Sequence, residues 1–187
     1  MFKRLLDILL AIFLISVLLL PILIVSLLVK LSSPGKVFFI SRRVGQNGKT
    51  FNMPKFRTMY SEAPELASDE LKNPEKYITP LGKTLRKLSF DEMPQIISVL
   101  IGDMSFVGPR PALIRQNELN EMRNKLGIDR LKPGITGWAQ VNGRDTISLK
   151  EKVDLEYVYL CKKNILFDIW ILILTVVVTL KKKDINF

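Results

Sequence analysis

The sequence contains no histidine and one cysteine, Cys161, in 187 residues. Without histidine, Ser-His-Asp and Cys-His nucleophile arrangements are excluded, and the commonest general base is missing. One cysteine allows no internal disulfide, so nothing calls for an oxidising compartment. The same two shortages argue against a zinc site and leave oxygen-ligand metals such as Mg²⁺ open. Acid is also scarce where it would balance the basic residues. From Ile8 to Ser61 there are seven basic residues (Lys30, Lys36, Arg42, Arg43, Lys49, Lys55 and Arg57) and no Asp or Glu. Internal repeats and low-complexity tracts are absent too. Any chemistry here falls to carboxylates, lysines, arginines or a bound metal.

What is present starts with a hydrophobic run. Ile8 to Val29 are 22 consecutive uncharged residues, nearly all Leu, Ile and Val. As a helix this run is long enough for a bilayer core of about 30 Å. No small-residue cleavage site follows it, which argues against a signal peptide. Pro21 lies inside, where it removes a helix hydrogen bond and crowds the Val17 carbonyl. Both flanks are basic, with Lys3 and Arg4 before and Lys30, Lys36, Arg42 and Arg43 after, and the positive-inside rule draws both to the cytoplasmic side. A helix broken at Pro21, re-entering the same leaflet as two halves of about 15–20 Å, satisfies both demands. A proline-kinked single span is the alternative. The net charge of +10 beside such an anchor suits anionic headgroups or phosphates.

Beyond the run, Lys36–Ser41 and Lys49–Lys55 flank Gly45-Gln46-Asn47-Gly48, a hairpin signal. Gly48-Lys49-Thr50 resembles the end of a P-loop, but Arg43 stands where its first glycine belongs. The segment from Glu62 to Pro80 reads as a loop with a short helix, Leu81–Leu88 as a basic helix, and Pro94–Ile101 as an apolar helix ending at Gly102. Ala112–Arg130 reads as a polar helix and Ser148–Lys163 as an amphipathic one. Ile165–Leu180, short for a span and followed by three lysines, reads as an interfacial helix or a buried core helix.

The chemistry concentrates at residues 86–111. Asp91 and Glu92 stand between Arg86 and Arg110. Ser89-Phe90-Asp91-Glu92 also fits a capping box, so the pair alone is ambiguous. In Gly108-Pro109-Arg110-Pro111, two prolines fix φ around Arg110 and present a guanidinium suited to a phosphate; a rigid turn with an ion pair is the plain alternative. The loop from Leu131 to Arg144 packs glycines, Pro133, Trp138 and Arg144 together, and its glycines allow close backbone approach to a ligand.

Together these motifs resemble the bacterial sugar transferases, the small monotopic polyprenyl-phosphate phosphoglycosyl transferases. The resemblance covers nearly all 187 residues. It rests on the proline-bearing N-terminal segment, Arg42–Gly45, Lys55–Met59, Leu88–Pro94, Gly102–Pro111 and Lys132–Arg144. It departs at Leu20, where many members carry serine.

The resemblance implies a mainly α protein with a small β-hairpin (α+β). Residues 1–31 would form a re-entrant membrane helix broken at Pro21, and 32–187 a compact catalytic domain with interfacial helices on the cytoplasmic face of the bacterial inner membrane. It implies transfer of a sugar-1-phosphate from a UDP-sugar to polyprenyl (undecaprenyl) phosphate, with UMP leaving. Asp91 would be the nucleophile that takes up the phosphosugar, and Glu92 would help hold Mg²⁺. An Asp is ionised at pH 7 without histidine's help. Arg86, Arg110, Lys55, Arg57 and Arg144 would offset the repulsion between Asp91 and the substrate phosphates.

Two other readings exist: a non-catalytic membrane scaffold, and nucleic-acid binding by the basic surface. No helix-turn-helix or RNP-type signature supports the second, so no nucleic-acid partner is expected. The sugar, its glycan pathway and the oligomeric state, a homo-oligomer included, stay open.

Overall fold

The computed structural model describes residues 2–63, 73–143 and 146–181. It is mostly helical, with two small sheets.

Helix α1 runs without interruption from Phe2 to Ser32, with Pro21 inside it. The expected division into two halves at Pro21 is not seen. The reason lies in its buried stripe: Asp7, Ala11, Leu14, Leu18, Ile22, Val25 and Val29 recur every three or four residues and keep one phase across the proline. Ala11, Leu14 and Leu18 pack on Met53, Val99, Met104 and Ile171; Ile22, Val25 and Val29 pack on Phe56 and Leu85. Contact along the whole stripe offsets the one hydrogen bond that Pro21 cannot donate. The opposite face exposes Leu5, Leu9, Phe13, Leu20, Leu27 and Leu31. By length and composition α1 is able to cross a membrane.

Both ends of α1 are fastened to the rest of the chain. Arg4 donates to the carbonyls of Val99 and Leu100, and Asp7 Oδ1 accepts from Phe106 N at 3.2 Å. At the other end Arg57 Nη2 donates to Ser33 O at 2.7 Å and Val29 O at 3.4 Å.

Strands β1 (Phe38–Val44) and β2 (Thr50–Phe56) form the expected hairpin, in register from Phe38 opposite Phe56 to Val44 opposite Thr50. Its turn uses Asn47 and Gly48 at φ 55° and 73°, the left-handed region that Asn-Gly tolerates. Helix α2 (Pro80–Lys87) is capped by Thr79, whose Oγ1 accepts from Gly82 N at 2.9 Å. A 3₁₀ stretch, Phe90–Gln95, leads into α3 (Ile96–Ile101), which ends at Gly102 with φ 105°.

Strand β3 (Ser105–Val107) pairs in parallel with β5 (Gly134–Thr136), and β4 (Ala112–Leu113) adds to the free edge of β1. The expected helix over 112–130 is therefore confined to α4, Asn117–Lys125. Leu113 is held out of it by a turn in which its N–H donates to Gln116 Oε1 at 2.9 Å. Beyond α4, Gly127 turns the chain with φ 69°. A short α5 (Trp138–Val141) precedes α6 (Leu149–Lys162) and α7 (Ile165–Lys181). A capping box forms at Ser148 and Glu151, whereas the one expected at Ser89 and Glu92 does not form.

Candidate active site

Ser89 takes φ 57° and makes no capping hydrogen bond, so the chain turns sharply before the acidic pair. A non-glycine residue in this region marks a constrained turn. It starts the 3₁₀ stretch that buries Asp91 against β2 and directs Glu92 toward Lys55.

Glu92 Oε1 accepts from Lys55 Nζ at 2.8 Å and, more loosely, from Arg110 Nη2 at 3.5 Å. These three residues come from β2, the 3₁₀ stretch and the turn after β3, and Glu92 is largely buried. Arg86, on α2, donates its Nε to Thr58 Oγ1 at 2.8 Å and interacts electrostatically with Asp91. Burial pushes the Asp91 carboxyl above the usual range; Lys55 pulls it back, Glu92 raises it further, and Arg86 again lowers it. Burial likewise lowers Arg86, with Asp91 opposing. The pair is thus desolvated yet surrounded by cations, the setting that holds a poorly solvated carboxylate ready for an electrophile.

Of the residues expected from the sequence, Lys55, Arg86, Asp91, Glu92 and Arg110 come together. Arg57 goes elsewhere: it is buried, and its Nη2 closes the C-terminal end of α1, donating also to Ser33 Oγ at 3.0 Å. The C-terminal carbonyls of a helix lack intrahelical donors, so a cation there completes the helix. Arg144 lies outside the described residues. The glycines of the 131–144 loop do serve a close approach, but to backbone. A Cβ on Gly134 would sit 2.2 Å from Gly108 N, and one on Gly137 2.1 Å from Gly108 O. They press this loop against the turn that carries Arg110.

Two residues that the sequence reading did not place in the site join it. Arg43 and Gln95 line a small cavity of about 10 Å³ with Lys55, Glu92 and Arg110. That space suits one water-sized group. Gln95 is buried, and among the described residues its Nε2 has no hydrogen-bond partner; it lies beside Arg43, Lys55, Arg110 and Glu92. The strand pattern offered a hint, since Arg43 and Lys55 sit on paired strands, but nothing local marks Gln95. A larger cavity of about 520 Å³ lies between the hairpin turn and α4 and is bordered by Val44, Pro109, Asn120, Arg123 and Ile128.

The gathered carboxylates and cations can bind a phosphorylated ligand and present a nucleophile to it. A model of the family described as "Bacterial sugar transferase" matches residues 1–182. The chain belongs to that family. Within the family it is 42% identical over 177 residues to "Uncharacterized sugar transferase EpsL" of Bacillus subtilis, covering 93% of this chain and 85% of that one. It is 41% identical over 182 residues to "UDP-glucose:undecaprenyl-phosphate glucose-1-phosphate transferase" of Escherichia coli, covering 93% of this chain and 39% of the relative. An N-acetylgalactosamine relative, "UDP-N-acetylgalactosamine-undecaprenyl-phosphate N-acetylgalactosaminephosphotransferase" of Aeromonas hydrophila, is 35% identical over 185 residues, 96% of this chain and 43% of its own length. The chain thus spans less than half of these two larger sugar transferases.

Proposed function

We propose that this family member transfers a sugar-1-phosphate from a UDP-sugar to undecaprenyl phosphate, through a phosphosugar carried on Asp91. The observation that supports this most is the buried Asp91 carboxylate set among Lys55, Arg86 and the Glu92–Arg110 pair. The relatives' names supply the substrate classes.

In the first step a carboxylate oxygen of Asp91 attacks the phosphorus that bears the sugar. The bond from that phosphorus to the bridging oxygen breaks, and UMP leaves with the bridging electrons. In the second step a phosphate oxygen of the polyprenyl acceptor attacks the same phosphorus, and Asp91 departs as a carboxylate. Lys55, Arg86 and Arg110 lower the repulsion between Asp91 and the diphosphate and meet charge that builds in each transition state. Burial of Asp91 removes water that would otherwise shield it and later hydrolyse the intermediate.

Mg²⁺ fits this site as an ion shared with substrate. Among the described residues no three or more Asp, Glu, His or Cys side chains gather as a cage. One or two carboxylates plus diphosphate oxygens is a usual Mg²⁺ shell. Glu92, with Asp91 beside it, would hold the ion, which would neutralise the diphosphate and the leaving UMP.

The membrane part of the proposal is that α1 keeps both ends on the cytoplasmic face of the inner membrane; as an unbroken helix it does so by lying in the interface rather than by the re-entry that a break at Pro21 would allow. Attachment of both its ends to one body supports this, because a span would put them on opposite sides of a bilayer. The exposed apolar faces of α1 and α7, the latter with Leu166, Trp170 and Ile173, supply lipid-facing surface.

The test is UMP release from a panel of UDP-sugars with undecaprenyl phosphate and Mg²⁺, for wild type and Asp91→Asn. Sugar-selective, EDTA-sensitive release that the variant loses is expected; equal release by both proteins overturns the Asp91 role. For topology, cysteines near each end of α1, in a chain whose exposed Cys161 has been replaced, should label from one side only.

A further inference from the structure

Arg123 and Glu156 form a buried ion pair remote in sequence from the acidic dyad. Arg123 Nε donates to Glu156 Oε2 at 2.7 Å and its Nη2 to Glu156 Oε1, a two-pronged contact between α4 and α6. Both residues are buried, at 7% and 2% exposure. A lysine could join two helices as well, since a plain staple needs one charge. The arginine does more: its Nη2 also donates to the Arg110 carbonyl at 3.0 Å.

That third contact completes a set. Within Gly108-Pro109-Arg110-Pro111, Pro109 O accepts from Gly134 N at 2.8 Å, Arg110 O from Arg123, and Pro111 O from Arg43 Nη1 at 3.4 Å. Gly108 N donates to Thr136 O at 2.9 Å. The two prolines fix φ on either side of Arg110 and Pro111 confines ψ at Arg110 to the extended region; within that region the contact of Arg123 with the Arg110 carbonyl holds one orientation of the peptide plane. We infer that Arg123, itself oriented by Glu156, is a positioning residue that fixes the backbone of Arg110 and so aims its guanidinium at Glu92 and the substrate phosphate. The inference rests on the transfer reading above for its kinetic consequence, but not for the clamp itself. A rigid planar fork that meets three acceptors in one geometry is a task lysine cannot perform.

The experiment compares full-length wild type, Arg123→Lys, Arg110→Lys and the double variant. It reads UMP release kinetics and amide hydrogen exchange of residues 110–113. Arg123→Lys should lower kcat about tenfold or more with a smaller change in KM, as misaligned groups do. It should cost nothing further in the Arg110→Lys background, because its effect passes through Arg110. Exchange should rise at 110–113 and stay near wild type in α4 and α6. Arg123→Gln combined with Glu156→Gln, which strands no buried charge, is measured alongside in case the lysine variant does not fold, with the same expectations.

Equal losses in both backgrounds, or unchanged exchange at 110–113, would overturn the inference and leave a helix staple. If wild type releases no UMP from any donor, the transfer reading fails, and the exchange result alone decides the clamp.

Discussion

Lys55 Nζ lies 2.8 Å from Glu92 Oε1, and the same ammonium opposes the burial that raises the neighbouring Asp91 carboxyl. One lysine therefore pairs with one acid of the dyad and sets the charge of the other. Replacing it with methionine keeps the aliphatic stem and removes the ammonium. Asp91 would then rise further, so the acid limb of the kcat/KM profile for UMP release should move to higher pH in Lys55→Met. An unmoved limb would separate Lys55 from the ionisation of Asp91.

Asp91→Asn should be more stable than wild type near neutral pH. For an acid whose folded pKa is raised, the contribution to stability is complete below its unfolded value and is lost as pH rises through the folded value. At neutral pH wild type bears the cost of the ionised, buried carboxylate, and the amide does not. The melting-temperature gain should shrink as pH falls through the raised pKa. A gain that is constant with pH would contradict a raised Asp91.

Arg57→Met should weaken the protein without altering its affinity for donor. The guanidinium bonds to Val29 and Ser33 at the end of α1 rather than to the acidic pair. Loss of charge-assisted bonds at a buried site costs about 1.5–3 kcal/mol. Chemical unfolding should show the loss while KM for the UDP-sugar stays unchanged. A raised KM with intact stability would return Arg57 to the phosphate site.

Much of this arrangement is legible in the sequence because its signals are local. The apolar run, Asn-Gly in the hairpin, Thr79-Pro80 before α2 and Gly102 after α3 each mark their own position. The 112–130 segment misleads because its polar composition suits a helix, while β4 depends on an edge of β1 some seventy residues away. Strands of two or three residues carry no period to read. The dyad and its two flanking arginines stand out as a cluster, but Arg57 looks like Lys55 two residues earlier, and only the fold sends it to the far end of α1. Gln95 rides the same 3₁₀ stretch as Glu92, three residues on, whereas Arg43 and the Arg123–Glu156 pair join the site through tertiary contacts alone.

Tyr159→Phe tests the other long-range tie. The Tyr159 hydroxyl donates to Asp168 Oδ1 at 2.7 Å, with Val107 O at 3.2 Å as a second acceptor, and Asp168 also meets Lys3. These contacts join α6, α7, β3 and the start of α1. Loss of the hydroxyl should cost about 1–3 kcal/mol, because it leaves a buried acceptor unmet. Lys3→Met combined with Tyr159→Phe should cost more than the sum of the two single changes, because it leaves the buried Asp168 carboxylate with neither donor, measured by urea unfolding in detergent.

The unbroken stripe of α1 has a practical consequence for anyone seeking a soluble form. Ala11, Val25 and Val29 are walls of the interior, shared with Met53, Val99, Phe56 and Leu85. Cutting before residue 33 would not detach an anchor from a finished domain; it would open two hydrophobic clusters to water and strip Phe106 N of its carboxylate acceptor. The helix proposed to meet lipid is also part of what holds the interior together.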